Sequence, residues 1–208
     1  MNLKEFDDSF RVDGKEFVAG FDEAGRGPLC GPVVCAGVVL DSSFYDERIN
    51  DSKQLNERTR DCLFDIIKEK AVCYEIVFIS NKVIDEINIL EASRKGMQTA
   101  LDKFIADKQK IDVVLTDYMN LKTDIPLKSL AKGDATSLSI ACASILAKVA
   151  RDRYMEELDK IYPQYELAKN KGYPTKRHLE LLEQYGPKEE IYRLSYGPVK
   201  ALRQIKLF

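Results

Sequence analysis

The chain of 208 residues is 45% hydrophobic and 32% charged, with a net charge of −2, five cysteines and one histidine. That suffices for one domain, or one domain plus a small appendage, with a real core and a soluble surface. No apolar run reaches the roughly 18 residues of a spanning helix, no C-x-x-C pair occurs, and His178 alone would have to serve any Cys/His zinc site or Ser-His-Asp or Cys-His mechanism, so those classes start poorly.

In chain order, MNLKEFDDSF carries early acids and lacks the apolar stretch of a signal peptide, so a cytoplasmic protein is expected. Residues 16–22 and 32–40 are apolar and β-branched around a glycine-rich turn, which predicts two antiparallel strands. After the polar loop Asp51-Ser52-Lys53, Asn56 is placed to cap a helix to about Lys70, with Cys62, Leu63, Ile66 and Ile67 on one face. Cys73 to Ile79 predicts a strand, Asn88 to Lys108 a helix, and Ile111 to Leu115 a strand buried on both faces. Thr123 to Gly133, with Pro126, is expected to be irregular. Asp134 then sits at the mouth of a helix reaching about Ile161, whose Leu138, Cys142, Ile145 and Val149 form a buried stripe ended by Pro163. A basic, aromatic loop, KNKGYPTKRH, precedes a helix over 175–184 stopped by Gly186-Pro187. The pattern predicts an α/β layered core over 1–161, with a helical C-terminal extension over 162–208 packed on it. Cys30, Cys35, Cys62, Cys73 and Cys142 are expected to be reduced thiols packed as small hydrophobes.

The charge is uneven. From Lys148 onward there are 13 Lys/Arg against 9 Asp/Glu. This is compatible with a phosphate-binding face and equally with a solvated helical surface.

Four acids stand out. Asp22 and Glu23 end the first strand, Asp117 follows the run IDVVL, and Asp134 follows Lys132-Gly133 at a helix mouth. Strand ends and a helix mouth can converge, and carboxylates meeting there repel unless a cation holds them. Oxygen ligands with little histidine or thiol suit Mg²⁺ or Mn²⁺, and two such ions are able to drive phosphodiester hydrolysis. Taken singly, each acid has a plainer reading: Asp134 as an N-cap, Asp117 as a turn residue, Asp22 as a partner of Arg26.

The stretch GFDEAGRGPLCGPVVCAGVVL resembles the opening signature of ribonuclease HII, the type 2 ribonuclease H family. DSKQL at 51–55, INILEASRKGMQTAL at 87–101, the aspartate at 117, KGDATSLSIACASILAKVARDRY at 132–154 and GYPTKRHLELLEQYGP at 172–187 follow in that family's order. The resemblance implies a ribonuclease H-like fold with a mixed central sheet flanked by helices. It implies a monomer that cleaves the RNA strand of RNA–DNA hybrids and cuts 5′ of ribonucleotides embedded in duplex DNA, leaving 3′-hydroxyl and 5′-phosphate ends. Asp22, Glu23, Asp117 and Asp134 would then be the catalytic metal ligands. Ribonuclease HIII, the first alternative, normally lacks an arginine between the glycines and carries a large N-terminal extension. This chain has Arg26 and only about 17 residues before its first strand. A catalytically inactive hybrid-binding protein, the second alternative, disagrees with the presence of all four acids.

Further roles rest on the same resemblance. Gly25-Arg26-Gly27 would offer backbone groups to the ribose 2′-hydroxyl, the group that separates RNA from DNA, because glycine permits close approach. Tyr173 matches a tyrosine that stacks on the deoxyribose past the RNA-to-DNA junction, although Pro174 departs from the usual Gly-Tyr-Gly-Thr. Lys53 would touch phosphate, with Ser144 and Lys148 doing the same or supporting the acids. Tyr192 stands where relatives often have a histidine, and His178 could be structural or substrate-facing. Finally, Gln204-Ile205-Lys206-Leu207-Phe208 resembles the Q-L-x-L-F peptide that docks on bacterial sliding clamps, with Gln204, Leu207 and Phe208 as its contacts, against the alternative of a tail packed on its own domain.

Overall fold

A computed structural model describes residues 1–49 and 55–205. The elements run α1 (Leu3–Asp8), β1 (Val18–Ala24), β2 (Val33–Leu40), α2 (Glu57–Lys70), β3 (Cys73–Ile79), α3 (Asn81–Ala106), β4 (Val113–Asp117), β5 (Leu127–Leu130), α4 (Leu138–Ile161), α5 (Leu167–Asn170), α6 (Lys176–Tyr185) and α7 (Gly197–Ile205). Single 3-10 turns occupy Gly133–Ala135 and Pro163–Tyr165. The strands form one sheet in the order β3-β2-β1-β4-β5. Pairing is antiparallel from β3 to β1 and parallel from β1 through β5, so the sheet is mixed.

The sheet has an apolar surface on both sides because its central strands are almost continuously apolar. All eight residues of β2 are buried. On one side Ala36, Val38 and Leu40 meet Leu63 and Ile67 of α2 and Ala141, Ile145 and Leu146 of α4. On the other, Ala19, Phe21, Cys35 and Val39 meet Met97, Leu101 and Phe104 of α3. Each of the larger side chains among them contributes roughly 1.5–3 kcal/mol by leaving water, which is why neither layer is optional.

α4 approaches β1 unusually closely. A Cβ at Gly20 would lie 2.2 Å from the Ser139 carbonyl carbon, so only a glycine lets the helix backbone settle there. Small residues Ala141, Ala143 and Ala147, all fully buried, continue the close contact. The N-terminus of α4 is latched from an unexpected direction. Asp7, on α1, accepts hydrogen bonds from Ser137 Oγ (2.6 Å) and the Ser139 N–H (2.8 Å).

Several elements differ from the sequence reading. Helix α1 was not anticipated, because six residues give too little periodicity. Residues 127–130 form an edge strand inside the segment expected to be irregular. Cys62 is exposed and Phe64 takes its place on the buried face of α2. Helix α3 begins at Asn81 and breaks at Asn88 (φ 66°), whose side chain accepts from the Leu90 and Glu91 N–H groups and so caps the second half. That second half is the helix foreseen from Asn88. Asp134 lies in the 3-10 turn, and Ser137 rather than Asp134 caps α4.

The C-terminal segment closes on the loop after β1. Leu29 and Cys30 share a cluster with Met155, Tyr165, Leu182 and Tyr192, and Cys30 pairs with Tyr192 in an antiparallel bridge. All five cysteines are free thiols, with Cys30, Cys35 and Cys142 buried. Among the described residues no helix is long and apolar enough to cross a membrane.

The Gly20 contact is directly testable. Gly20→Ala should destabilise the protein by at least about 2 kcal/mol, the scale of core overpacking, measured as a lower urea midpoint with an unchanged slope.

Candidate active site

The last ladder pair between parallel β1 and β4 is Phe21 beside Thr116. Asp22 and Asp117 are the next residue of each strand, and neighbouring parallel strands therefore deliver two carboxylates to the same end of the sheet. Asp22 is 5% exposed. Burial pushes its carboxyl well above the usual range, the neighbouring Glu23 and Asp117 carboxylates raise it further, and a hydrogen bond from Ser144 opposes them. The Glu23 N–H also donates to Asp22 Oδ1 (2.7 Å).

Asp117 is tied to the fourth acid through the backbone. The Gly133 N–H donates to Asp117 Oδ1 (2.7 Å), which holds the 3-10 turn against the end of β4 and brings Asp134, 3% exposed, to the same region. Thus β1, β4 and the turn before α4 carry the four acids to one end of the sheet. They are not closed into a cage: among the described residues no three acid, histidine or cysteine side chains are close enough to hold an ion unaided. The donor set still fits a hard divalent cation. It is all oxygen, and Asp22 is disfavoured as an anion by its burial and by like charges that a cation would offset.

Arg26 does not pair with Asp22. Its Nη1 lies 3.4 Å from Glu23 Oε1, at the exposed lip of the loop. Lys148 pairs with Asp152 one turn along α4 (2.8 Å) rather than with any of the four acids. Ser144 and Lys148 nonetheless face the same opening, a cleft of about 380 Å³ lined also by Glu23, Gly25, Tyr173 and Arg60. Arg60 of α2 escaped the sequence reading because nothing local marks it, its place following only from how α2 lies against α4. Lys53 lies outside the described residues.

Tyr173 stands at the far wall of the cleft. The residue is 39% exposed, with the Lys148 ammonium 5.9 Å and the Arg151 guanidinium 5.8 Å from its ring centroid. The backbone beneath it is held by His178, which is buried and structural. His178 Nδ1 is 2.9 Å from the Tyr173 carbonyl, which accepts only, so Nδ1 carries the proton and Nε2 accepts from Tyr192 Oη (2.8 Å). Burial lowers the affinity of His178 for a second proton. Tyr192 is likewise buried and supports the tyrosine loop from behind through His178, outside the lining of the cleft.

The two glycines around Arg26 differ in kind. Gly25 has φ 99°, and a Cβ there would lie 2.1 Å from Arg151 Nε. Gly27 has no such φ, and a Cβ there would only touch the Tyr173 ring, at 3.7 Å. The fold therefore demands glycine at 25. At 27 it leaves an open space in front of the tyrosine.

A family model described as ribonuclease HII matches residues 19–199. The chain is similar to proteins named ribonuclease HII from Listeria innocua, 48% identical over 200 residues (96% of this chain, 75% of the relative), and from Acholeplasma laidlawii, 46% identical over 200 residues (96% of each). Among solved structures it is similar to the ribonuclease H2 from Pyrococcus horikoshii OT3, with a TM-score of 0.78 at 29% identity, covering 91% of this chain and 98% of that one. It is also similar to a chain of the PCNA:RNase HII complex from Archaeoglobus fulgidus, with a TM-score of 0.67 at 26% identity, covering 87% and 95%.

The contrast between the glycines predicts opposite outcomes in thermal unfolding. Gly25→Ala should lose at least about 2 kcal/mol through backbone strain and overpacking. Gly27→Ala should match or slightly exceed the parent in Tm, as a glycine replaced in a compatible conformation does.

Proposed function

The chain belongs to the ribonuclease HII family, and on that premise we propose that it incises duplex DNA 5′ of an embedded ribonucleotide by a two-metal mechanism, as well as hydrolysing RNA paired with DNA. The observation that carries the finer reading is the shared cleft. The end of β1 with Glu23, the loop after it and Tyr173 all face one opening.

Asp22, Glu23, Asp117 and Asp134 are the metal ligands in this reading. Divalent ions held there, Mg²⁺ or Mn²⁺, would supply Lewis acidity toward the attacking water and the leaving 3′-oxygen. Ser144 and the Glu23 N–H hold the Asp22 carboxylate, and the Gly133 N–H holds that of Asp117, so hydrogen bonds orient both groups. Gly25-Arg26-Gly27 presents backbone N–H groups to the 2′-hydroxyl and its adjacent phosphate. The open space at Gly27 then admits the ribose, which a methyl group would obstruct. Tyr173 takes the next sugar on its ring face, where a deoxyribose without the 2′-hydroxyl stacks best. Lys148, Ser144 and Lys53 contact phosphates, contributing affinity without reading sequence.

The C-terminal Gln204-Ile205-Lys206-Leu207-Phe208 is proposed to dock on the replication sliding clamp. Gln204 is exposed at the end of α7, while Leu207 and Phe208 lie outside the described residues. The Archaeoglobus fulgidus relative was solved in complex with PCNA, which supports a clamp as the partner class.

The activity is tested with duplex DNA carrying one ribonucleotide, in Mg²⁺ or Mn²⁺. The expected product is a single cut 5′ of the ribonucleotide. Intact hybrid cleavage without that cut would instead mean a ribonuclease HIII-like enzyme. Asp134→Asn should slow incision by more than the roughly 10- to 100-fold typical of changes one shell further from a metal, and an unchanged rate would remove the metal assignment.

Deleting 204–208 should spare incision and abolish binding to a purified bacterial clamp in surface plasmon resonance. Equal clamp affinity before and after the deletion would refute the docking role.

A further inference from the structure

Two arginines, Arg151 on α4 and Arg193 after α6, are the largest fully buried side chains among the described residues. Neither has a carboxylate partner within ion-pair distance among those residues. Such burial is costly unless the donors of the guanidinium are satisfied. They are satisfied by main-chain carbonyls, and those carbonyls come from the loop that follows β1. Arg193 donates from Nη2 to Gly25 O (2.7 Å) and Pro32 O (3.1 Å), from Nη1 to Arg26 O (3.0 Å), and from Nε to Gly31 O (3.1 Å). Arg151 donates from Nε to Pro32 O (3.1 Å), from Nη2 to Cys30 O (3.3 Å), and from Nη1 to Lys171 O (2.9 Å), which reaches the tyrosine loop. Tyr196 Oη adds a second donor to Arg26 O (2.7 Å) and accepts from Arg193 Nη1 (3.0 Å).

The consequence follows from peptide geometry. In a planar trans peptide the C=O of one residue and the N–H of the next point in opposite directions. Drawing Gly25 O inward to Arg193 turns the Arg26 N–H away from the guanidinium. Drawing Arg26 O inward does the same for the Gly27 N–H. Among the described residues neither N–H donates to a protein acceptor. Arg151 meanwhile packs against Gly25, where an added Cβ would collide with its guanidinium. Both guanidinium charges also lie behind the outward N–H groups, adding a positive field that favours an anion in front of them.

We propose that Arg193, with Arg151 and Tyr196 beside it, is a positioning residue for ribonucleotide recognition: by binding the carbonyls of Gly25 and Arg26 it pre-sets their following N–H groups toward the 2′-hydroxyl and phosphate of the substrate. This deepens the reading of the Gly25-Arg26-Gly27 loop given above and rests on it. The role requires a fork of donors in a fixed plane, which lysine lacks while keeping the charge.

The test compares the full-length protein with Arg193→Lys and Tyr196→Phe in two measurements. One is kcat/KM on a DNA duplex with a single ribonucleotide. The other is the inhibition constant of the same duplex made wholly of deoxynucleotides, which engages phosphate contacts but has no 2′-hydroxyl to present. Arg193→Lys should lower kcat/KM by about 100-fold, the cost of misplacing a recognition group by about 1 Å. The inhibition constant should stay within about two-fold, since phosphate contacts elsewhere are untouched. Tyr196→Phe, at the loop's solvent edge, removes the hydrogen bond to Arg26 O and the one accepted from Arg193 Nη1, and should lower kcat/KM by about three- to ten-fold. It keeps the inference testable should Arg193→Lys not fold. Equal losses in kcat/KM and in all-DNA inhibition, or wild-type kcat/KM in the folded variants, overturn the inference. A fully active Gly27→Ala protein would instead overturn the loop reading itself. An inactive Gly27→Ala protein beside a fully active Arg193→Lys one would overturn only the positioning role.

Discussion

The contact between the backbone of α4 and Gly20 of β1 governs the geometry of this molecule. Because no side chain separates helix from strand at that point, the whole length of α4 is indexed against the sheet. Ser139 sits on the strand and receives the Asp7 latch. Ser144, a little over one turn further, meets Asp22. Lys148 lines the cleft one turn beyond, and Arg151, within one more turn, enters the loop that follows β1. The 3-10 turn just before the helix delivers Asp134 beside Asp117. A single rigid helix thus spaces acid support, cleft wall and loop support, and an error of registry at Gly20 would propagate to all of them.

Much of the acid end was legible in the sequence because it depends on local pattern. An apolar, β-branched run followed at once by Asp22-Glu23, and another followed by Asp117, mark buried strands that end on charge. Parallel pairing of β1 and β4 then makes those ends coincide, and the alternation of strands and helices marks the layered α/β core, while the mixed sheet was implied by the family resemblance. The sliding of Asp134 from helix mouth to 3-10 turn is a small error of the same local kind, since Ser137 competes successfully for the capping position.

What was not legible depends on distant partners. Arg151 and Arg193 count in the sequence as surface charge of a basic C-terminal third, yet both are fully buried, and their acceptors lie up to 168 residues away. Asp7 looks like one acid of an exposed N-terminal cluster, but it is buried against a helix 130 residues on. A charged side chain is enclosed only when the completed fold supplies every partner it needs, and composition carries no trace of that condition. Arg60, whose place follows from how α2 lies against α4, belongs to the same class.

The burial of these arginines changes what the charge distribution means. Of the basic residues in the last third, Lys171 is paired with Glu156, Arg177 with Glu166 and Arg203 with Glu189. The positive excess is therefore not all surface charge. Part of it is held inside the protein, directly behind the loop after β1, where solvent and salt screen it less than they screen exposed lysines. At the neighbouring strand end, the carboxylates of Asp22, Glu23 and Asp117 repel one another. A site built this way places a negative pole and a positive pole within a few residues of chain. Bound divalent ions would complete the negative pole, and an anionic sugar–phosphate would complete the positive one. Each ligand makes the other's seat less costly to occupy. Metal and nucleic acid should therefore bind with positive coupling, each tightening the other by the same factor, as linkage requires.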